Sequence, residues 1–389
     1  MRRAWVIAAI AIVAVLLLVS AGYYYLAVMK NEDTLGYSSQ DLAVPWTSTL
    51  SAVNNSLPSG TTSVPMAVEE TNLYWNITED IYAGYGGALD LWVENNNHGK
   101  LFVYSFGLKW VSGGSSSYYR NCNTTIEPGE KAELGLLIFG APATGSAEYQ
   151  IILKAAVSNI AGTQWYDAGA LPSNSNSVTI TSLATPREQE VRLNVEQYYN
   201  RINERVDYSV VSSPLAAIKA TYPGNYSVLQ IAEAFTWMRE NIKYVNEGSE
   251  DYWKTAQETL SSKEGDCEDH AILLCSIIGA LGGNARVNLI EEHAFPTVYV
   301  ASTYADLQKV RASLASYYGL ETSVFRMAYL QDSSGYWLVI DPTGFPYAGG
   351  LPAQSEPTSA SGSWTLLSSY LISLDATGQT YSRGLLNLL

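Results

Sequence analysis

The chain has 389 residues and a formal net charge of −15 at neutral pH, with 22 Lys and Arg against 37 Asp and Glu. This length is enough for two ordinary domains of about 100–200 residues each and their connecting segments. The excess of acidic side chains provides no basic surface for a phosphate backbone and disfavours nucleic acid as a partner. Only 15% of the residues are charged, whereas there are 28 Tyr and 10 Trp, a composition common in exported proteins.

A long uncharged segment lies near the N-terminus. Residues 4–29, AWVIAAIAIVAVLLLVSAGYYYLAVM, are long enough as a helix to cross a hydrocarbon core of about 30 Å. Arg2 and Arg3 precede the segment, so the positive-inside bias predicts a cytoplasmic N-terminus and an extracytoplasmic main body. A signal peptide cleaved after residues 19–21 is the alternative, which the length of the apolar run disfavours. We therefore predict a single-pass membrane anchor over residues 1–30.

The next two segments differ in composition and in the spacing of their apolar residues. Residues 31–70 are rich in Ser, Thr, Asn and Pro and lack a sustained apolar period, which indicates a stalk. Residues 71–184 contain short alternating apolar runs between turn residues, among them ALDLWVEN, LFVYSFGLKW and AEYQIILKAAV. Several strands at this spacing are typical of an all-β sandwich. The pattern resembles extracellular immunoglobulin-like modules, a resemblance of architecture that implies no function.

Beyond the strand-rich region the pattern becomes helical. Residues 227–244, SVLQIAEAFTWMRENIKY, have the apolar spacing of an amphipathic helix. A second apolar helix is expected from about Cys267, followed by the strands RVNLIEE, HAFPTVYVA and YWLVIDP. Helices followed by an antiparallel sheet predict an α+β domain over residues 185–350. A helical insertion at 303–319 separates the last two strands, and residues 351–389 are a C-terminal tail that adds strands or docks on the domain.

The stretch KEGDCEDHAILLC places a cysteine directly ahead of an apolar run. If the run is a helix, Asp266 is its N-cap and Cys267 lies in its first turn. The amides and dipole at this end favour an anion, so we expect a lowered thiol pKa and a reactive thiolate. Cys275 lies among apolar residues and is interpreted as a packing residue. The helical rise would separate the α-carbons of the two cysteines by about 12 Å, too far for a disulfide.

A cysteine nucleophile needs a base, and the chain has three histidines. His98 lies in a predicted turn and is interpreted as solvated. His270 is within reach of Cys267 on the same helix, but the positive helix end disfavours its imidazolium form. His293 opens the strand HAFPTVYVA, and the next strand ends at Asp341, so neighbouring strands can pair the two side chains. The pattern favours Cys267 as nucleophile, His293 as base and Asp341 as its orienting carboxylate.

Upstream of the cysteine, Trp253 and Gln257 are candidates for lining the cleft or stabilising an oxyanion, with core packing an equal interpretation for the tryptophan. The acids Asp266, Glu268 and Asp269 suggest a calcium site, but the helix dipole alone explains acids in a first turn. No phosphate-binding loop occurs, and no His or Cys spacing suits zinc. We therefore predict no metal and no cofactor.

Three blocks of the sequence resemble the transglutaminase-like superfamily in its prokaryotic secreted or membrane-anchored branch. ETLSSKEGDCEDHAILLCSII resembles the cysteine-helix motif, HAFPTVYV the histidine strand and YWLVIDPTG the aspartate strand. The resemblance covers about residues 225–350. It implies a papain-like core, a triad of Cys267, His293 and Asp341, and acyl transfer on amide bonds. The gap between His293 and Asp341 is long for the family, and the insertion that fills it could cover the cleft.

These patterns predict a membrane-anchored, extracytoplasmic cysteine acyltransferase or protease that acts on proteins or peptides outside the cell. Attack by Cys267 and protonation of the departing amine by His293 would leave a thioester. Water would then give hydrolysis and a lysine amine a crosslink, and hydrolysis is slightly preferred. The alternative is a noncatalytic cell-surface module that binds peptide or has a structural role.

Overall fold

The structure is a computed structural model that describes residues 13–23, 35–63, 71–246 and 252–381. It is a mixed α/β protein with two six-stranded sheets, one three-stranded sheet and two short strand pairs. Its first nine strands are β1 (Thr71–Ile77), β2 (Ile81–Tyr82), β3 (Gly87–Asn95), β4 (Leu101–Trp110), β5 (Ser117–Ile126), β6 (Lys131–Phe139), β7 (Gly145–Ser158), β8 (Trp165–Pro172) and β9 (Asn176–Thr181).

Residues 71–181 contain strands and no helix, as the alternating pattern predicts. One sheet has the order β1-β3-β6, and the other has the order β2-β9-β7-β4-β5 with β8 paired to β7. Apolar side chains from both sheets, such as Leu91 and Phe106, are fully buried in a shared core. Two sheets that bury one face each against the other form a sandwich.

The remaining elements mix helices and strands. The helices are α1 (Glu196–Asn203), α2 (Ser212–Thr221), α3 (Val228–Asn241), α4 (Ala256–Ser262), α5 (Cys267–Leu281) and α6 (Tyr304–Tyr317). The strands are β10 (Glu190–Leu193), β11 (Lys243–Tyr244), β12 (Glu264–Gly265), β13 (Ala285–Ile290), β14 (His293–Ala301), β15 (Tyr329–Asp332), β16 (Gly335–Val339), β17 (Ser355–Pro357), β18 (Trp364–Leu366) and β19 (Tyr370–Asp375). The main sheet has the order β10-β19-β13-β14-β16-β15.

Helix α5 is the central helix of this part. Its apolar residues from Ala271 to Ile278 are fully buried, and it packs against β13, β14 and helices α2, α3 and α4. A helix that is apolar on all sides is stable only when other elements surround it. Gly282 ends the helix with φ at 99°, a conformation that glycine adopts without steric cost. The contacts of α5 with β13 and β14 hold the helix against the main sheet.

Strand β19, which lies in the C-terminal region 351–389, is part of the main sheet. Strand β19 lies between β10 and β13, parallel to the first and antiparallel to the second. Leu374 is fully buried, and Asp375 forms an ion pair of 2.6 Å with Arg286 of β13. Because β19 has a neighbouring strand on each side, its backbone N–H and C=O groups are paired at both edges, and it is an interior strand of the sheet.

The segment predicted as a stalk, residues 31–70, is described at 35–63 and lies against the rest of the protein. Its hydrogen bonds reach both the helical part and the sandwich: Ala43 N to Asn284 Oδ1 at 2.6 Å, Trp46 N to Tyr226 O at 2.9 Å, Asn121 Nδ2 to Val53 O at 3.1 Å and Gln164 Nε2 to Gly60 O at 2.8 Å. These partners satisfy backbone groups that a free linker would expose to water.

The insertion at 303–319 forms α6, which begins after the N-cap Thr303. Leu307, Val310 and Leu314 are fully buried and belong to the same core as α3, α5 and β14. Their spacing of three to four residues gives the helix one apolar face, and that face is packed inward. The insertion is therefore a core element.

Most of the predicted membrane anchor, residues 4–29, lies outside the described residues. Residues 13–23 are helical. Over the ranges that the structure describes, no helix combines the length and the apolar character needed to cross a membrane.

Candidate active site

Antiparallel pairing of β14 with β16 brings His293 and Asp341 together. Thr297 pairs with Val339, and this register places Phe295 opposite Asp341, just beyond the end of β16. His293 lies two residues before Phe295, and alternate residues of a strand point to the same face. The Nε2 atom of His293 lies 2.8 Å from Oδ2 of Asp341, and both side chains are buried.

The Asp341 carboxylate has a complete set of hydrogen-bond donors. Oδ1 accepts from the backbone N and Oγ1 of Thr343 at 3.0 and 2.8 Å, and Oδ2 also accepts from Ala353 N at 2.9 Å. Burial raises the pKa of this carboxyl, but the charge and hydrogen bond of His293 and the two backbone amides outweigh it, so its pKa lies below the ordinary value. An ionised carboxylate at Nε2 keeps the proton on that nitrogen and leaves Nδ1 as the basic site of His293.

Cys267 is the first residue of α5 and is partly buried. Asp266 occupies the N-cap position with an extended backbone, although its side chain makes no capping hydrogen bond. The backbone N–H of Ala294, the residue after His293, lies close enough to the Cys267 sulfur to lower the pKa of its thiol. The thiol therefore lies beside Ala294 at the start of β14, the strand that carries His293.

The pKa of the Cys267 thiol is raised, not lowered as its position at a helix N-terminus predicts. Burial is the largest cause, and the negative charge of Glu268, which also accepts a hydrogen bond from the thiol, is the next. The distance from Sγ to Oε2 of Glu268 is 3.1 Å. The charge of Asp266 also raises the pKa of the thiol, whereas the backbone N–H of Ala294 lowers it. In this arrangement the thiol is protonated and directs its proton towards Glu268.

The other two histidines have different surroundings. His98 is exposed between β3 and β4. His270 is buried on α5, its ring nitrogens have no hydrogen-bond partner among the described residues, and its ring meets that of Tyr244 edge to face at 6.0 Å. Burial lowers the pKa of His270. It is a neutral packing residue. Cys275 is also fully buried, and burial raises the pKa of its thiol.

Trp253 and Gln257, the candidates for the cleft or an oxyanion donor, occupy different environments. Trp253 is buried in the main core, with the Arg201 guanidinium 3.7 Å from its ring centroid. Gln257 is exposed on α4, and its amide nitrogen donates to Ser261 Oγ at 2.8 Å. Trp253 therefore packs in the core, and the side chain of Gln257 is hydrogen-bonded to another residue of its own helix.

The three acids of the first turn of α5 do not share one environment. Asp269 is fully buried and accepts from Lys254 through both Nζ at 3.0 Å and the backbone N at 2.7 Å. This ion pair fixes the segment before α4 to the helix. Asp266 and Glu268 are partly exposed near the Cys267 sulfur. Within the described ranges, no group of three or more His, Cys, Asp or Glu side chains is arranged to hold a metal ion.

Two contacts of the site differ in how clearly the sequence indicates them. Residues i and i+1 of a helix do not usually face each other, so the contact between Cys267 and Glu268 carries no spacing signal. The bond from Thr343 to Asp341, by contrast, has a local signal. Asp-Pro-Thr is a turn sequence in which a carboxylate accepts from the residue two positions later.

Comparison with known proteins adds a partial match. Residues 251–326 match a family model described as the CEP76 peptidase-like domain. The match includes Cys267 and His293 and ends before Asp341. The sequence around Cys267 and His293 is therefore peptidase-like. No curated protein matches the chain at a significant level.

Solved structures match with low similarity. A fragment of native alpha-2-macroglobulin from Escherichia coli is 15% identical over 55% of this chain, with a TM-score of 0.20, and the match spans only 33% of that fragment. A protein from Cytophaga hutchinsonii, described as a candidate cysteine protease, is 11% identical over 80% of this chain and 92% of its own, with a TM-score of 0.24. BslA, a bacterial hydrophobin, is 13% identical over 31% of this chain and all of its own, with a TM-score of 0.16.

Proposed function

We propose that the chain is a transglutaminase-like cysteine enzyme that acts on amide bonds of proteins or peptides. The observation that supports this most is the 2.8 Å bond between His293 and Asp341, set beside a cysteine at the N-terminus of a buried helix. A buried carboxylate that is ionised is expensive to desolvate, and packing alone gives no reason to keep one beside a histidine at the ends of two strands. The peptidase-like sequence match covers the cysteine and the histidine.

The chemistry follows from the atoms available. The Cys267 thiol passes its proton to Nδ1 of His293, and the thiolate attacks the amide carbonyl carbon. The first N–H groups of α5 have no partner within the helix and can stabilise the oxyanion. The carbon–nitrogen bond then breaks, and the amine leaves with the proton from His293. Asp341 keeps the imidazole oriented and stabilises its charged form.

The thioester that results is released by a second nucleophile. Water, deprotonated by His293, gives a carboxylic acid and a free thiol, whereas an amine gives a new amide. We favour hydrolysis because the sequence match is to a peptidase-like domain. We also propose that the enzyme faces the outside of the cell, stays attached through residues 1–30 and meets its protein or peptide substrate there.

A noncatalytic module that binds peptide is the second candidate. It is favoured by one observation, the raised pKa of the Cys267 thiol. A thiol that stays protonated at neutral pH is a poor nucleophile. The two candidates differ in whether His293 can remove that proton.

Reactivity and turnover distinguish them. The full-length protein is treated with iodoacetamide at neutral pH and its peptides are mapped by mass spectrometry. Labelled casein and a fluorescent amine then report hydrolysis and crosslinking. We expect Cys267 to be alkylated and Cys267→Ala to abolish turnover, while Cys275→Ala, the matched control on the same helix, retains it. Turnover that survives Cys267→Ala would refute the proposal, and an inert Cys267 without turnover would establish the noncatalytic module.

A further inference from the structure

Glu268 holds the proton of the candidate nucleophile. Its Oε2 atom lies 3.1 Å from Cys267 Sγ, and the thiol is the donor. On the other side of the site, Asp341 occupies Nε2 of His293, so Nδ1 is the nitrogen left to receive the thiol proton. The enzyme is therefore at rest with its nucleophile bonded to a carboxylate instead of its base.

Glu268 is also an acid without a cation. None of the ion pairs formed among the described residues includes it, whereas Asp269, the next acid on α5, is bonded to Lys254 at 3.0 Å. Asp269 is fully buried, whereas Glu268 is partly exposed. A thiol is only a weak hydrogen-bond donor, so it satisfies this carboxylate poorly.

We propose that Glu268 is a specificity-determining residue, which binds a lysine or arginine side chain of the substrate polypeptide and thereby releases the Cys267 thiol to His293. This inference rests on the proposed function and names the substrate class, a polypeptide with a basic residue beside the reacting amide. Ammonium and guanidinium groups form charge-assisted hydrogen bonds with carboxylates that are stronger than neutral ones. The substrate cation therefore displaces the thiol from Glu268.

Displacement prepares the nucleophile in two ways. The thiol loses its acceptor and can turn to Nδ1 of His293, and the bound cation neutralises the charge that opposes a thiolate. The proton then moves from sulfur to Nδ1, and no other co-reactant is needed. A substrate without the cation leaves the thiol bonded to Glu268 and reacts slowly.

Charge-selective labelling tests the electrostatic part without any known substrate. The full-length protein, in EDTA, reacts with aminoethyl, sulfonatoethyl and methyl methanethiosulfonate, and modification of Cys267 is followed by mass spectrometry. We expect Glu268→Gln to reduce the ratio of cationic to anionic reagent rates about tenfold, because one negative charge is lost close to the sulfur. Glu264→Gln, an equal change at an exposed acid on β12, should leave this ratio within about twofold of the wild-type value.

The pH dependence of labelling by the neutral reagent separates a charge effect from a structural one. Glu268→Gln should shift the midpoint of the rate profile to lower pH and raise the rate at neutral pH. A variant that only loosened the helix would change the rates of all three reagents together. If added calcium, and not a basic peptide, removes the charge selectivity of the wild-type protein, Glu268 serves a metal and the inference is overturned.

Peptide turnover completes the test. Peptides that differ only in lysine, norleucine or glutamate beside the reacting residue are compared by kcat/KM. We expect the wild-type protein and Glu264→Gln to prefer lysine about tenfold or more, and Glu268→Gln to lose this preference. Turnover with equal rates, or an unchanged preference in Glu268→Gln, overturns this inference alone. Absence of turnover of any peptide by the wild-type protein overturns the proposed function and the inference together.

Discussion

The Nε2 atom of His293 and the Oδ2 atom of Asp341 lie 2.8 Å apart, although 48 positions separate the two residues along the chain. The strands β14 and β16 make this contact, and α6 lies between them in sequence without entering it. Because Asp341 occupies Nε2, Nδ1 is the imidazole nitrogen that remains to accept the proton of the Cys267 thiol.

Replacement of His293 should lower the reactivity of the Cys267 thiol. We expect His293→Ala to lower kcat/KM by about 100-fold or more, the usual contribution of a general base. Alkylation of Cys267 at mildly acidic pH should also slow, since an ordinary thiol is then almost wholly protonated. Asp341→Ala should give a smaller loss in both measurements, because the imidazole remains but is no longer oriented. Greater loss in His270→Phe than in His293→Ala would contradict the assignment of the base.

The carboxyl of Asp341 should make stability depend on acid pH. Its pKa in the folded protein lies below the ordinary value of about 3.9, so on acidification the unfolded chain takes up the proton first. The stabilisation is complete above about pH 5 and is lost as the pH falls below 4 towards the folded-state pKa. Denaturant unfolding from pH 6 to pH 3 should show a shallower decline for Asp341→Asn. Equal slopes for the variant and the wild-type protein would exclude this contribution.

His270→Phe should preserve activity and stabilise the protein. The substitution keeps a ring of similar size against Tyr244 and removes two buried nitrogens that have no hydrogen-bond partner among the described residues. Relief of such unsatisfied groups is worth about 1–3 kcal/mol. The pKa of His270 is lowered, so the wild-type protein should also lose stability as the pH falls below about 6.5, and the variant should lose less. Thermal unfolding at pH 5 and pH 8 measures both effects.

Truncation should show that the C-terminal strand is essential. A chain that ends at residue 350 lacks β19 and leaves unpaired backbone edges on β10 and β13. We expect it to be insoluble or unfolded by circular dichroism. A chain that ends at residue 381 retains the strand and should unfold at a temperature close to that of the full chain. A folded and stable 1–350 protein would show that the sheet does not depend on β19.

Local patterns in the sequence were sufficient for the parts of the protein that depend on nearby residues. The alternation of apolar residues indicated strands across 71–184, and the apolar run after Cys267 indicated a buried helix that begins at that residue. Both follow from the repeat of side chains along one element, which is a short-range property. The order of Cys267, His293 and Asp341 along the chain likewise indicated a candidate nucleophile, base and orienting carboxylate.

Tertiary structure decided what depends on residues far apart in sequence. No local signal places β19 between β10 and β13 or fixes residues 35–63 against the rest of the protein, because pairing partners are chosen by the whole sheet and core. The pKa of Cys267 is the sharpest case. The helix end favours a thiolate, but burial and the adjacent Glu268 carboxylate outweigh it, since desolvation and a contact at 3.1 Å exceed a terminal dipole.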